Sequence, residues 1–343
     1  MDLALIAALL LLPTLLPLSI CYAFIKHKQP NTNWQNLIKL KPESGLLQQP
    51  IFWLSILIPG AYFIAFGSVI WSEYSPDVSA AGLSTFLQIS VFPLTLLSLA
   101  VPFSVVVASF HSTEQTAVQI KITNHKNNLE SFYSHRNELF GYFDRLGPES
   151  YLSLFEAKFY VHPRVHKVFF IGSPDRGVPE INEPVFKQLE DNLSSARMYL
   201  HMVICGHIET DRLDSIYILN LCSNIQFLIT ILNLRTDLQP ILARSEFIPI
   251  LINGRLEKIQ TIGRTATDIV AAYRYARAYY RNLCDFAGRD TNEGSLEHYY
   301  YFEIYGKYKT IKSPENIEVI FERYIPDWKA DIREIEEGDY FTV

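Results

Sequence analysis

Arg274, Arg277 and Arg281 stand three and four residues apart, a spacing that on a helix brings all three within about 60° of one another. Ile269, Tyr273, Ala276, Tyr280 and Leu283 form an apolar stripe beside them. Arginines next to aromatic rings suit phosphate contact and base stacking. The three arginines, with Tyr275, are the candidate contacts to nucleic acid or to a protein partner. The competing reading is a solvated helix face whose arginines pair with Asp268 or Asp285.

Other constellations are weaker. His201, Cys205 and His207 make a crude metal-ligand cluster, but His207 would point away from the other two and a fourth ligand is missing. His162 and His166 flank Pro163 without an obvious carboxylate. Glu156-Ala157-Lys158 has the E-x-K ending of a nuclease motif, but Pro174-Asp175 follows it, in the wrong order. The sequence holds no G-x-x-x-x-G-K-[ST] loop, no H-E-x-x-H and no C-x-x-C pair. No catalytic residue, metal or cofactor is assigned, and a non-enzymatic protein is expected.

The elements that would position these residues begin with apolar runs. The chain has 343 residues, 49% hydrophobic and only 19% charged, against about a quarter charged in soluble domains. Segments 3–25, 51–71 and 85–110 contain no Asp, Glu, Lys or Arg. About 20 such residues cross a hydrocarbon core. A cleaved signal peptide is the alternative for the first, but Met1-Asp2 supplies no basic start and the run is long. A retained helix is expected. The formal charge of −6 falls in the last 29 residues, which excludes a broadly basic nucleic-acid binder.

Lys26, Lys28, Lys39 and Lys41 lie between the first two runs, Glu73 and Asp77 between the next two, and Lys121, Lys126 and Arg136 after the third. Basic loops stay cytoplasmic, so the chain reads as a multi-pass inner-membrane protein with its N-terminus outside and everything beyond residue 110 in the cytoplasm. Without ionisable groups in the spans, three such helices anchor the chain, or line a path only after several copies assemble. Pro13, Pro17, Pro59-Gly60, Pro93 and Pro102 interrupt them. Pro59, Gly60, Pro93 and Pro102 are the candidate hinges, beside the plainer reading that membrane helices tolerate Pro and Gly.

Residues 109–146 read as one long helix continuing from the third span and breaking at Gly147-Pro148. It contains Thr113-Glu114-Gln115-Thr116, Gln119-Ile120, and the run from Asn127 to Phe140 with Phe132, Tyr133, His135, Arg136, Glu138 and Phe140. This F-Y-x-H-R-x-E-x-F element resembles a signature of small bacterial phage-defence membrane proteins, including abortive-infection proteins and the transmembrane effectors encoded beside retrons. The resemblance covers the membrane topology and about 30 residues of helix. It implies a toxic membrane effector that a reverse transcriptase and its RNA–DNA hybrid restrain, and that damages the membrane, with membrane lipid and further copies of itself as other partners. From the residues alone, His135 and Glu138 are surface neighbours across a helical turn, and Phe132, Tyr133 and Phe140 pack on the following domain.

Beyond residue 148 a mainly helical domain with minor strands is expected. Segments 183–207, 213–234 and 265–287 read as helices, 158–171 as an irregular or short-strand region, and Asn253-Gly254 as a turn. The aromatics Tyr299, Tyr300, Tyr301, Phe302, Tyr305 and Tyr308 read as core or interface. Phe321, Tyr324, Ile325 and Trp328 within the acidic tail predict a docked segment. The expected divisions are 1–110 membrane region, 111–147 connecting helix and 148–343 cytosolic domain, whose three cysteines (Cys205, Cys222 and Cys284) are expected, like Cys21 in the first span, as free thiols.

Overall fold

Pro50 opens a long apolar helix at the position where a missing N–H leaves no bond unmade. The same economy of caps and breaks organises the whole computed structural model, which describes residues 3–28, 30, 33–205, 211–252, 255–291, 296–302, 304, 307–310 and 315–337. The chain divides into two units, Met1–Lys126 and Asn127–Val343.

In the first unit, α1 (Leu3–Lys28), α2 (Pro50–Trp71) and α3 (Ala80–Ser98) precede α4 (Ala100–Asp144), inside which the division between units falls. Three helical runs are long and apolar enough to cross a membrane: 6–28, 50–71, and one within 80–144. Side chains such as Leu11, Leu16, Ile64, Phe92, Val101 and Phe110 are exposed. So much apolar surface is out of place in water and fits a lipid-facing bundle.

The third apolar run corrects the expectation of one unbroken helix. It is interrupted at Leu99, whose N–H reaches back to Leu96 O (3.2 Å). Pro102 has no N–H for the carbonyl of Ser98, and its ring crowds that carbonyl, so the chain restarts as a new helix.

Polar bonds tie the helices. Trp71 Nε1 donates to Ser90 Oγ across α2 and α3 (2.9 Å), and Tyr62 Oη donates to Leu10 O on α1 (2.8 Å). Gly67 makes room for the Trp71 ring: a Cβ there would sit 2.5 Å from Cη2. The lysine-bearing loop is built round Gln49, whose buried amide accepts from Lys41 N (3.0 Å) and donates to Lys41 O and Ser44 Oγ.

In the second unit, three two-stranded antiparallel hairpins interrupt the helices: β1 (Glu149–Tyr151) with β2 (Phe155–Ala157), β3 (Phe170–Ile171) with β4 (Glu180–Ile181), and β5 (Phe247–Ile252) with β6 (Arg255–Gln260). The expected turn at Asn253-Gly254 lies outside the described residues, between β5 and β6. The region 158–171 departs from expectation. Pro163 starts a short helix, α5 (Pro163–Phe169), with His162 capping Arg164 N, so the proline nucleates structure instead of breaking a strand.

Helices α6 (Glu183–Cys205), α7 (Asp211–Ile231), the single turn α8 (Gln239–Leu242) and α9 (Ala266–Ala287) build the core. A capping box fixes the start of α9: Thr265 Oγ1 accepts from Asp268 N (3.1 Å), and Asp268 accepts from Thr265 N (3.2 Å). Gly288, at φ 64°, ends it. Alanines at 266, 271, 272 and 276 let neighbours approach α9 closely, and it is buried on most sides.

The acidic tail is docked over its described part. In α10 (Glu315–Val319), Glu318 accepts from Ala266 N at the start of α9 (2.9 Å). A π-helical turn leads into α11 (Ile325–Glu337), where Trp328 Nε1 donates to Pro249 O (2.9 Å) and Lys329 pairs with Glu246. All four cysteines are buried and none forms a disulfide.

Candidate functional site

The arginine stripe on α9 does not act as one surface. Arg274 is committed inside the domain: its Nη2 donates to Ile304 O (2.8 Å), its Nε to Phe302 O, and its guanidinium lies 5.9 Å from the Tyr308 ring centroid. Tyr275 is fully buried among Tyr151, Phe155 and Phe159, and its hydroxyl donates to Asp237. Burial, and then that carboxylate, push the hydroxyl well above the ordinary tyrosine range. Tyr275 therefore belongs to the core and not to a contact surface. Arg281 is exposed. Arg277, only 7% exposed, turns into a cleft.

That cleft lies between α6 and α9, has a volume of about 540 Å³, and is open on one side. Lys187, Glu190, Asp191, Ser194 and Arg197 reach it from α6, at the spacing of one helix face. Tyr273, Arg277 and Tyr280 reach it from α9, and Arg289 and Thr291 from the segment after. Arg289 is neutralised: it meets Glu183 (3.0 Å) and Glu190 (3.4 Å) and donates to Tyr280 Oη (2.9 Å). Arg197 lies over the Tyr299 ring, 4.9 Å from its centroid, and its buried Nε meets no acceptor among the described residues.

No protein family, characterised protein or solved structure matches this chain. Its sites are read from their own chemistry.

The Asn127–Asp144 end of α4 is built into the second unit. Leu139 and Phe143 are fully buried in its core. Asn128 Nδ2 donates to Asp175 O (2.6 Å), and Phe132 meets the His166 ring edge-on at 5.7 Å. His135 does not pair with Glu138 across the turn. It bonds His166 of α5 instead, with Nδ1 3.1 Å from Nε2. Burial, then the charges of His135 and Arg136, hold His166 down at about 4; burial lowers His135 as well. Arg136 lies 5.6 Å from the Phe140 ring centroid, Glu138 is exposed, and Tyr133 is 49% exposed.

His201 and Cys205 do share a helical face, with Sγ 3.5 Å from Nδ1, and the Tyr301 hydroxyl bonds the same nitrogen. His207 lies outside the described residues. Among the described residues no three His, Cys, Asp or Glu side chains gather as a metal site. Glu156 and Lys158 share a shallow hollow with Asp237 rather than with Asp175, and the Asp237 carboxylate already holds Tyr275.

Of the proposed hinges, Pro59 and Gly60 lie within an unbroken α2 and Pro93 within α3, while Pro102 follows the break at Leu99. Pro59 and Leu99 both line an apolar groove of about 350 Å³ with Leu10, Tyr62, Phe92 and Phe103.

The cleft was not visible in the sequence as a site. Its α6 residues form a periodic charged stripe, which reads as a solvated face until α9 is laid beside it. His111 was also missed. It directly follows the third apolar run, is 3% exposed, and neither ring nitrogen has a hydrogen-bond partner among the described residues.

Proposed function

We propose that this protein is a membrane effector of a bacterial anti-phage system, restrained by a reverse transcriptase with its RNA–DNA hybrid and toxic to the membrane when released. The observation that carries the reading is α4. One helix has an apolar start and an end, Asn127–Asp144, built into the core of the second unit, and that end bears the F-Y-x-H-R-x-E-x-F element. A helix shared in this way gives a partner bound to the C-terminal unit a mechanical route to the apolar helices. The proposed setting is the inner membrane, with the C-terminal unit cytoplasmic, as the lysines of the first loop favour. The candidate partner surface narrows to Arg281 and the exposed Tyr133 and Glu138.

The second reading is a membrane-tethered scaffold. It is favoured by the lack of Asp, Glu, Lys and Arg within the three apolar runs, which suits an anchor. Inducing the full chain in a bacterium carrying a voltage-sensitive dye separates the two. Collapse of the membrane potential supports the effector, and an undisturbed potential at high expression leaves the scaffold. Recovery of a reverse transcriptase and an RNA–DNA hybrid on purification from the native operon supports the retron assignment; recovery of the protein alone removes it.

A further inference from the structure

We propose that the loop joining α1 to α2 is a docking surface for the headgroups of anionic phospholipid. The inference rests on the reading of the apolar helices as membrane spans and goes beyond it; it does not depend on the effector role. Residues 26–49 carry four lysines against Glu43 alone, whereas residues 72–79, beyond the other end of α2, carry Glu73 and Asp77 without a Lys or Arg. Lys26, Lys28 and Lys39 are exposed, and among the described residues no carboxylate lies within salt-bridge reach of them. Apolar side chains are set among these charges: Trp34, Ile38 and Leu47 are each more than half exposed. The loop is built to hold them there. Trp34 stacks on Tyr22 of α1, with ring centroids 3.9 Å and planes 4° apart, and Lys26 Nζ lies 5.9 Å from the Tyr22 centroid. Leu37 is buried with Cys21 and Leu54. Trp53 Nε1 donates to Leu47 O (2.9 Å), and the buried Gln49 amide ties Lys41 to Ser44.

Exposed Trp, Ile and Leu are unfavourable in water and charged lysines are unfavourable in hydrocarbon, so a surface holding both suits the boundary between them. Lysine stems reach outward from that depth while the aromatic rings stay on the apolar side. The surface continues onto exposed Phe24 of α1 and Trp53 of α2. It therefore borders the lipid-facing helices, which commits it to the headgroups of the same bilayer. Charge selects among those headgroups. A zwitterionic one brings no net charge to the lysines, whereas an anionic phosphodiester neutralises them and accepts their N–H donors. The Tyr22–Trp34 stack and the buried Leu37 fix the loop in advance, which lowers the ordering cost of binding.

The test is quenching of tryptophan fluorescence in the full chain, reconstituted into vesicles of phosphatidylcholine and phosphatidylglycerol with bromine near the headgroup of one lipid or the other. Trp34 and Trp53 report from the surface. Brominated phosphatidylglycerol is expected to quench with an apparent affinity about fivefold or more above that of brominated phosphatidylcholine, since each lysine near an anionic surface contributes about that factor. High salt should abolish the preference, as should the combined Lys26→Gln, Lys28→Gln and Lys39→Gln substitutions, while Lys39→Arg should keep it. If the triple variant fails to reconstitute, Lys39→Gln alone carries the test with a smaller loss. Equal quenching by the two lipids overturns the proposal and leaves the membrane spans standing; quenching by neither overturns both. A preference that survives the lysine substitutions places the anionic lipid elsewhere and also overturns it.

Discussion

Nδ1 of His135 lies 3.1 Å from Nε2 of His166, joining the long helix α4 to the short helix α5 through two imidazoles. One ring must donate and the other accept, so the contact needs at least one neutral ring and is lost once both are protonated. Phe132, Phe170 and Phe286 surround the pair with aromatic edges, and Arg136 adds a positive charge nearby. The His-Arg portion of the F-Y-x-H-R-x-E-x-F element is thus part of a clamp that fixes the end of α4 in its domain.

The clamp predicts acid sensitivity. His166 titrates at about 4 in the folded protein against an ordinary value near 6.5, so between those limits the unfolded chain binds the extra proton. Stability is complete above about pH 6.5, falls as pH drops toward 4, and levels off below, by an amount on the order of 2 kcal/mol. Thermal unfolding from pH 7.5 to 4.5 should show this slope in the parent and a flatter one in His166→Asn. Equal slopes would remove the pair from the account.

Asp268 is buried at the start of α9, where it accepts from the backbone N–H of Arg264 (3.1 Å) and Thr265 and pairs with Arg244. Asp268→Ala should cost about 2 kcal/mol, from the lost cap and the stranded N–H groups. Arg244 is partly exposed, so its share is small. A chemical denaturation midpoint unchanged from the parent would contradict this.

Ser90→Ala removes the acceptor of the Trp71 indole and should lower stability in detergent by about 1 kcal/mol. Gly67→Leu should cost more, since its Cβ would meet the indole at 2.5 Å and drive the ring off Ser90. The order of the two effects is the check: a milder Gly67→Leu would mean that Trp71 does not pack there.

Arg274 and Arg281 should behave oppositely despite sharing a helix face in the sequence. Arg274→Ala strands the carbonyls of Phe302 and Ile304 and should lower stability by about 2 kcal/mol. Arg281→Ala should leave stability within about 0.5 kcal/mol, as exposed substitutions do, and reduce recovery of the proposed nucleoprotein partner. Loss of partner recovery from a normally stable Arg274→Ala would restore the arginine stripe as one surface.

Much of this architecture was legible residue by residue. The absence of Asp, Glu, Lys and Arg over 51–71 and 85–110 located the apolar helices, Thr265 and Gly288 bounded α9, and Trp328 marked a docked tail. These signals are local: caps, breakers and apolar length act through a few neighbouring residues. Pro163 and Pro102 were ambiguous, because the same ring starts a helix at its first turn and interrupts one further in.

The sites were not local. Periodicity placed Arg274, Arg277 and Arg281 on one face of α9, but which of them met backbone carbonyls, a cleft or solvent depended on what packed alongside. Lys187 and Arg197 came to line one cleft only because α9 packs beside α6, and His135 found His166, 31 residues away, only once α5 lay against α4. The sequence by itself determined which segments are apolar and where helices start and stop, since those follow from short-range sterics and hydrophobic length. Tertiary structure alone decided which side chains meet, as Arg289 meets Glu183 and Glu190, because that depends on the distance between residues far apart in the chain.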